Sequence, residues 1–308
     1  MINPPKVYVL ILTYNGKQLL YDSITSYLAN DYSNFRVIVI DNGSTDGSDE
    51  YVREAFPDAV LLRSETNLFY SGGFNLGLKY AFVENDADYV LITNNDVKAD
   101  SGIIKALVES ALEDPKRGFV MGKVYYFDNP DILQTVGKKQ DDVMWNGGHI
   151  GQGEKDNGQY DVAEERAWCD DIYWLVSRQV FEQTGGYDTE FSFQAEDFDW
   201  EARAKLKGFV IYYTPKAKLW HKESVTLGKT SPRKAYYDAR NPIIVHLRYR
   251  NSSQFKVFFW KRTTALIRSI CHQMLHLRFC HVWANVRGLG SAVIWGISNK
   301  KLTFKHIF

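Results

Sequence analysis

Four short apolar runs alternate with amphipathic segments over the first hundred residues. The runs lack the polar alternation of a half-buried strand and are typical of buried strands in a parallel sheet; they are residues 7–12, 35–40, 60–63 and 89–92. Helical spacing of apolar side chains follows the first run, and acids open a helix after the second. The repeating strand–helix order predicts an α/β fold with a doubly wound, mainly parallel sheet.

Small polar side chains follow three of these runs directly. They are Thr13 and Asn15, then Asp41, then Asn94, Asn95 and Asp96. Ligands of open α/β sheets bind beyond the carboxyl ends of the strands. One such end is ordinary turn chemistry, in which Asn, Asp and Gly cap helices and turns. Three ends with the same character favour a nucleotide site, with Asp96 placed where a hard cation meets a phosphate.

Two common nucleotide sites do not fit the chain. A dinucleotide fold needs Gly-x-Gly-x-x-Gly directly after the first strand, where this chain has residues 13–17, Thr-Tyr-Asn-Gly-Lys. No Walker-type phosphate loop occurs in the sequence. The glycine-rich residues 67–77 come after the third strand and are expected to run into a helix through Leu78 and Phe82.

The middle of the chain has a weaker pattern. Residues 124–127 are consistent with a strand, and residues 146–153 with a flexible loop in which His149 is solvated. Farther on, four acids fall within six residues, 196–201, on a helix expected to begin near Ala195. Helix capping by the positive end of the dipole is the competing explanation for the first of them.

The net charge of zero conceals a basic end. Residues 231–308 contain 14 Lys and Arg and a single acid, Asp238, whereas residues 1–230 contain 23 basic and 36 acidic side chains. This asymmetry predicts a catalytic domain over 1–230 and a basic, aromatic helical region over 231–308. Three cysteines without a pairing pattern, no signal-peptide core and no long apolar run predict a cytoplasmic protein.

The basic region contains an amphipathic stripe with helical spacing. Its members are Phe259, Thr263, Leu266, Ile267, Ile270, Met274 and Leu277, flanked by cations. A helix lying on an anionic membrane surface fits this pattern, at the inner face of the cell membrane. Packing on the catalytic domain, or contact between subunits of a homo-oligomer, is the alternative. No nucleic-acid-reading motif accompanies the charge, so no nucleic-acid partner is expected.

Taken together, the motifs resemble glycosyltransferase family 2, with the GT-A fold, in its bacterial rhamnosyltransferase-like branch. The motifs that carry the resemblance are residues 13–15, 41–48, 67–77, 94–96, 185–188, 196–203 and 220–222. The resemblance spans about residues 6–250. Two positions depart from the family pattern: Asn94 replaces the first acid of the Asp-x-Asp motif, and Phe69 replaces a glycine.

The resemblance implies a role for each candidate residue. Asp41 would accept the pyrimidine N–H, and the other nucleotide-sugar contacts would be Thr13, Asn15, Asn67, Gly73, Asn75, Asn94 and Asn95. Asp96 and His221 would hold Mg²⁺ or Mn²⁺ against the diphosphate. Asp197 would be the general base, with Glu196 as the less favoured candidate. Asp170, Asp171 and Trp174 would contact the acceptor, with an exposed surface pair as the alternative for the two acids.

The implied activity is inverting transfer of a sugar from a UDP- or dTDP-sugar. The acceptor would be a hydroxyl of a glycan, lipid-linked or protein-linked molecule. The chemistry requires a base for the hydroxyl proton and a hard cation at the leaving diphosphate, and no carboxylate nucleophile. A nucleotidyltransferase and a sugar-nucleotide-binding subunit without catalysis are the alternatives.

Overall fold

The computed structural model describes residues 3–222 and 231–299, so residues 223–230 at the expected domain boundary and 300–308 of the basic region lie outside it. The strands are β1 Val7–Thr13, β2 Phe35–Asp41, β3 Val60–Arg63, β4 Tyr89–Thr93, β5 Val97–Ala99, β6 Arg117–Tyr126, β7 Leu133–Thr135, β8 Lys138–Asp141, β9 Trp145–His149, β10 Glu164–Arg166, β11 Tyr173–Ser177 and β12 Val210–His221. The helices are α1 Leu20–Leu28, α2 Ser48–Ala55, α3 Phe69–Leu78, α4 Ile103–Leu112, α5 Arg178–Thr184, α6 Glu196–Leu206, α7 Pro232–Tyr249, α8 Ser252–Leu275 and α9 Phe279–Ser298.

One large mixed sheet forms the centre of the molecule. Its strand order is β10-β12-β6-β11-β4-β1-β2-β3, and β4, β1, β2 and β3 are mutually parallel. Strand β11 runs antiparallel to β4 and β6, whereas β12 runs parallel to β6. The four strands predicted from the apolar runs are confirmed, and so is the mainly parallel α/β class. Thr13 pairs with Asp41, so the polar ends of β1 and β2 meet at one edge of the sheet.

The apolar runs are explained by burial on both faces of the sheet. Val9 and Ile11 face a core that includes Ile24 of α1 and Leu107 of α4. Leu10, between them, faces a second core shared with α3 and α6. Because both faces are covered by helices, alternate positions have no reason to be polar.

The helix after the third strand begins earlier than expected, because α3 already covers most of the glycine-rich segment. Gly73 and Gly77 lie one turn apart on the side of the helix that faces the sheet. An added β-carbon would lie 2.5 Å from Leu12 Cδ1 at Gly73 and 2.5 Å from Ile40 Cδ1 at Gly77. The glycines therefore allow a close approach of α3 to β1 and β2, and this packing outweighs their low helix propensity.

The expected loop over residues 146–153 is also wrong in part. Residues 145–149 form β9, which pairs with β8 in a two-stranded hairpin outside the main sheet. Gly148 at φ 85° and Trp145 at φ 69° adopt left-handed backbone conformations within it. The local glycine content suggested a loop, but residues 145–149 pair with β8, which precedes them in the chain.

Helix α7 packs against the acidic helix α6 through charged side chains. Arg248 Nη1 donates to Asp199 Oδ1 at 2.9 Å and to Asp188 Oδ2 at 2.6 Å. Tyr249 donates to Asp199 at 2.6 Å, and Arg203 Nε, one helical turn along α6, donates to Asp199 Oδ2 at 2.8 Å. The described start of the basic region is thus tied to the preceding sheet domain by buried ion pairs.

Helices α8 and α9 form a helical hairpin joined by a short turn at residues 276–278, and α9 packs along α7, where Tyr236 Oη donates to Ser291 Oγ at 3.1 Å. Phe258 and Leu266 of α8 are buried, whereas Met274 and Leu277 of the predicted stripe are more than half exposed. Leu277 lies past the end of the helix, at φ 56°. Among the described residues, every helix is too short or too polar to cross a bilayer.

Candidate active site

The ends of β1, β2 and β4 form the first part of the site. Asn95 Nδ2 donates to Thr13 Oγ1 at 3.2 Å, and Asn15 Oδ1 accepts from the Thr45 backbone at 2.8 Å. Asp41 is fully buried and accepts from the Ser44 backbone at 3.0 Å through Oδ1. Its Oδ2 has no hydrogen-bond partner and lies 3.6 Å from Arg63 Nε. The side chains expected to contact the nucleotide therefore meet at one edge, with one carboxylate oxygen unsatisfied.

The candidates in the glycine-rich segment have mainly structural contacts. Asn67 Oδ1 accepts from Asn42 Nδ2 at 3.1 Å and from the Phe69 backbone at 2.7 Å. Both polar atoms of the Asn75 side chain bond the backbone of Tyr187, at 2.8 and 2.9 Å. Asn75 thus joins α3 to the 185–188 loop, and Gly73 faces the sheet. Each polar atom of the Asn75 side chain therefore has one protein partner already.

The backbone conformation at Phe69 explains why glycine is the usual residue at this position in the family. Its φ of 59° lies in the left-handed region, where glycine, the family's usual residue here, has no steric penalty. The ring is 42% exposed and lies against the Arg233 guanidinium of α7, 4.8 Å from its carbon. An aromatic group therefore borders the site where the family pattern has none.

Asp96 and His221 form the second part of the site. Asp96 follows β4 and His221 ends β12, and Asp96 Oδ1 lies 3.2 Å from His221 Nε2. The antiparallel pairing of β5 with β12 produces this contact, because it aligns Val97 with His221. On its other side His221 Nδ1 lies 2.9 Å from Gln134 Oε1. Such an amide oxygen favours the tautomer with the proton on Nδ1, which leaves the Nε2 lone pair facing Asp96.

A cluster of carboxyl groups forms the third part of the site. Asp170 and Asp171 precede β11, and Glu196 and Asp197 open α6. They line a cavity of about 380 Å³, whose other walls include residues of α7 and α8: Asp238, Pro242, His246, Phe258 and Arg262. The Asn94 backbone N–H donates to the Ile172 carbonyl at 3.1 Å, and Ile172 lines the cavity. The cavity therefore lies next to the carboxyl end of β4, which Asp96 follows.

The buried carboxyl groups perturb one another's ionisation. Burial, with the charge of Asp197, raises the pKa of Asp171 to about 8. Burial also raises the pKa of Glu196 well above its usual range, with Asp171 and Asp197 adding to the effect. The pKa of Asp197 is raised by burial too, but the Lys138 ammonium opposes the increase. Burial and the neighbouring acids therefore favour the neutral forms of Asp171 and Glu196.

Asp170 differs from its neighbours because two donors hold it. Burial favours the neutral acid, yet Lys138 and His149 outweigh it and hold the pKa of Asp170 at about 2. Lys138 Nζ bonds Asp170 Oδ1, and His149 Nδ1 lies 3.1 Å from Oδ2. The expectation of a solvated His149 is wrong, because the β8–β9 hairpin brings it to Asp170. The sequence gives no local signal for Lys138, whose partners lie more than 30 residues away.

Trp174 lies in the core rather than at the cavity surface. It has no exposed surface, and its ring packs against Phe119 at 4.7 Å and Trp200 at 6.2 Å between centroids. A side chain at this position on β11 points into the sheet–helix core, so it has no surface to offer to an acceptor. Asp170 and Asp171, by contrast, lie at the cavity wall.

The comparisons with known proteins agree with this geometry. Residues 8–184, more than half of the chain, match the model of the family described as glycosyl transferase family 2. An N-acetylglucosaminyl-diphospho-decaprenol L-rhamnosyltransferase of Mycobacterium tuberculosis is 27% identical over 211 residues, or 63% of this chain and 68% of that protein. A poly-beta-1,6-N-acetyl-D-glucosamine synthase of Staphylococcus aureus is 25% identical over 221 residues, or 71% of this chain and 50% of that protein.

Two solved structures share the fold. One is a mannosyltransferase from Pyrobaculum calidifontis in complex with GDP-Man and Mn²⁺, with a TM-score of 0.54 and 18% identity, covering 97% of this chain and 76% of that chain. The other is S. aureus TarS, with a TM-score of 0.53 and 17% identity, covering 80% of this chain and 40% of that chain. These likenesses confirm the predicted GT-A fold.

Proposed function

The chain belongs to glycosyl transferase family 2, and from that premise we propose that it is an inverting enzyme whose donor is a UDP- or dTDP-sugar. The observation that carries the proposal is the adjacency of two chemically different centres. The Asp96–His221 pair lies at the end of β4, and the carboxyl-lined cavity lies beside it, across the bond from Asn94 to Ile172. An inverting transfer needs both a cation-holding donor site and a base on the acceptor side.

Asp197 is the proposed base, because it combines access to the cavity with a compensating cation. Glu196 is buried with Oε2 unpaired, and burial and its acidic neighbours favour its neutral form through a strongly raised pKa. Asp197 Oδ2 lies 3.8 Å from Lys138 Nζ, which favours its carboxylate. A base of modestly raised pKa accepts the proton of an acceptor hydroxyl efficiently near neutral pH. The proton moves to Asp197 as the acceptor oxygen attacks the anomeric carbon.

Asp96 and His221 are the proposed protein ligands of a divalent cation. A carboxylate oxygen 3.2 Å from an imidazole nitrogen is a donor set that Mn²⁺ and Mg²⁺ accept, and Gln134 orients the imidazole. Within the described residues no third His, Cys, Asp or Glu joins the pair. The donor diphosphate would supply further oxygen ligands, and the bound cation would stabilise the charge that develops on the leaving diphosphate.

The donor nucleotide is proposed to lie along the ends of β1 and β2. Asp41 Oδ2 has no hydrogen-bond partner and is the acceptor for the pyrimidine N–H, while Thr13, Asn15 and Asn95 surround the ribose and diphosphate. Asn94 in place of an acid removes one charge from the cation site. The cation then depends on the donor phosphates more than in a site with two acids.

A lipid-linked glycan is the proposed acceptor, with peripheral attachment of the enzyme to a membrane. The M. tuberculosis relative is named for a diphospho-decaprenol acceptor. The hairpin of α8 and α9 supports the proposal, because it exposes two apolar stripes: Val257, Trp260, Ile267 and Met274 on α8, and Phe279, Trp283, Val286, Ile294 and Ile297 on α9. Residues 251–299 contain six Lys and Arg and no Asp or Glu. Two copies of such a surface repel each other, whereas anionic lipid complements it.

The experiment is a donor screen followed by one variant pair. Release of nucleoside diphosphate is measured from UDP- and dTDP-sugars with Mg²⁺ or Mn²⁺ and a polyprenyl-diphosphate-linked acceptor. Asp96→Ala is expected to weaken Mn²⁺-dependent donor binding about tenfold or more, since one of two protein ligands is lost. Asp58→Ala, which removes an exposed acid far from the strand ends, is the control. Equal donor binding and transfer in the Asp96 variant would contradict the assignment.

A further inference from the structure

The β8–β9 hairpin delivers a buried cation to the carboxyl cluster. Lys138 and His149 are cross-strand partners at the base of the hairpin. Lys138 is only 9% exposed, and a lysine that is this buried usually has an acidic partner. Both side chains contact Asp170, one at each carboxylate oxygen. The hairpin therefore brings two nitrogen donors to one acid.

Lys138 also reaches the proposed base. Its Nζ lies 3.8 Å from Asp197 Oδ2 while it bonds Asp170. His149 Nδ1 lies 3.1 Å from the other oxygen of Asp170 without hydrogen-bond geometry, and the ion pair of Asp170 with Lys138 places the ammonium beside Asp197. His149, Asp170 and Lys138 form a series of contacts that connects the hairpin with Asp197 at the N-terminus of α6.

Helix α7 holds the hairpin from behind. His246 Nε2 lies 3.2 Å from the Met144 carbonyl, and Arg250 Nη2 donates to the Asp142 carbonyl at 2.6 Å. The Trp145 ring packs edge-on against His246, with 5.8 Å between centroids. These contacts involve residues 142–145, at the turn of the hairpin. Lys138 and His149 lie at its other end, where they contact Asp170.

The charges around Asp197 are mostly negative. From the segment before β11 come Asp170 and Asp171, and from α6 come Glu196 and Glu201; Tyr70 of α3 lies close to the same carboxyls. The cations and imidazoles are Lys138 and His149 of the hairpin, Lys205 of α6, His246 of α7 and Arg262 of α8. Among the described residues, Lys138 is the cation that forms an ion pair with Asp197.

We propose that Lys138 is the positioning residue that keeps Asp197 a carboxylate, with Asp170 and His149 holding Lys138 in place. The inference rests on the proposed function, since it takes Asp197 as the base. The physical reason is that an isolated anion among buried acids takes up a proton, whereas an ammonium within 4 Å favours the charged form. Opposition between burial and the Lys138 charge in setting the pKa of Asp197 agrees with this.

The test is the pH dependence of kcat/KM between pH 5 and 9. In Lys138→Met the acidic limb is expected to move up by about one pH unit or more, the usual effect of removing a buried opposite charge. Transfer then falls by up to about tenfold on the acidic limb and recovers toward the parent value at the alkaline end of the range, with an unchanged KM for the donor. Lys138→Arg, which retains the charge, restores the parent limb. Lys139→Met, at the exposed neighbouring position, is the matched control and leaves the limb in place.

A second variant removes the charge of Lys138 but keeps a hydrogen-bond donor for Asp170. Lys138→Gln retains an N–H group toward Asp170 and places no charge beside Asp197, so the acidic limb again moves to higher pH. A purely structural role for Lys138 predicts a loss that is uniform across pH for both variants. That uniform loss, with each variant folded as judged by its melting temperature, would overturn the proposal. If Lys138→Met does not fold, a Lys138→Gln limb at the parent position overturns the proposal by itself.

The assignment of Asp197 as the base and the positioning role of Lys138 can be refuted separately. Transfer that survives Asp197→Asn refutes the proposed base and with it the role of Lys138. An inactive Asp197→Asn together with an unmoved limb in Lys138→Met leaves the proposed function standing and refutes only the positioning role.

Discussion

Replacing two tryptophans in the α8–α9 hairpin is expected to abolish binding to anionic membranes. Trp260 on α8 is 75% exposed and Trp283 on α9 is 64% exposed, so most of each ring is available to the bilayer interface. Full burial of a large apolar side chain contributes about 1.5–3 kcal/mol, and two-thirds of that from each ring is about 2–4 kcal/mol together. Trp260→Ser with Trp283→Ser therefore lowers the partition coefficient about 30- to 800-fold.

The assay is co-sedimentation with sucrose-loaded vesicles, with and without anionic lipid. The parent chain is expected to bind anionic vesicles at low salt, because each Lys or Arg near the surface contributes about 1 kcal/mol. Binding weakens at 1 M salt, where the Debye length is about 3 Å. Tyr21→Ser, which removes a 60% exposed aromatic from α1, is the matched control and retains binding.

Two results would refute the reasoning. One is a parent chain that stays in the supernatant with anionic vesicles at low salt. The other is a self-associating chain whose oligomer, seen by analytical ultracentrifugation, dissociates in the double tryptophan variant while vesicle binding is absent. The second result would assign the same stripes to a subunit contact.

Two further predictions concern stability. Gly122→Ala is expected to cost about 1–3 kcal/mol in urea unfolding, because a β-carbon there would collide with the Ala217 carbonyl oxygen; Gly290→Ala, on α9 with open space around it, stays within about 1 kcal/mol of the parent. Asp171→Asn is expected to raise the melting temperature at pH 8 but not at pH 4. The pKa of Asp171 is about 8 in the folded chain, so the folded state retains a proton that the unfolded state loses above about pH 4, and stability falls as pH rises through this window. An equal gain at both pH values would contradict this linkage.

Burial explains why the central sheet was predictable. A strand covered on both faces must be apolar throughout, so β1, β2 and β4 stand out in the sequence, and their polar ends mark one edge. Asp96 follows from this rule alone. His221 does not, because its contact with Asp96 depends on β12 pairing with β5 across more than a hundred residues. The family resemblance, rather than local pattern, supplied that residue.

The errors have a common physical origin in long-range contacts. Lys138 and His149 carry no local signal, because their role comes from ion pairs with Asp170. Trp174 lies on a strand whose facing direction depends on its neighbours in the sheet, and it faces the core. Such contacts become visible only when the strands are assembled.

The most direct test of the account is transfer by Asp197→Asn, measured beside donor affinity. The substitution keeps the size of the side chain and removes its capacity to accept a proton. The account predicts that transfer falls about 10²- to 10⁴-fold while the Kd for the nucleotide-sugar with Mn²⁺ stays within about threefold of the parent value. Transfer within about threefold of the parent, at equal donor affinity, would contradict the assignment of Asp197 as the base.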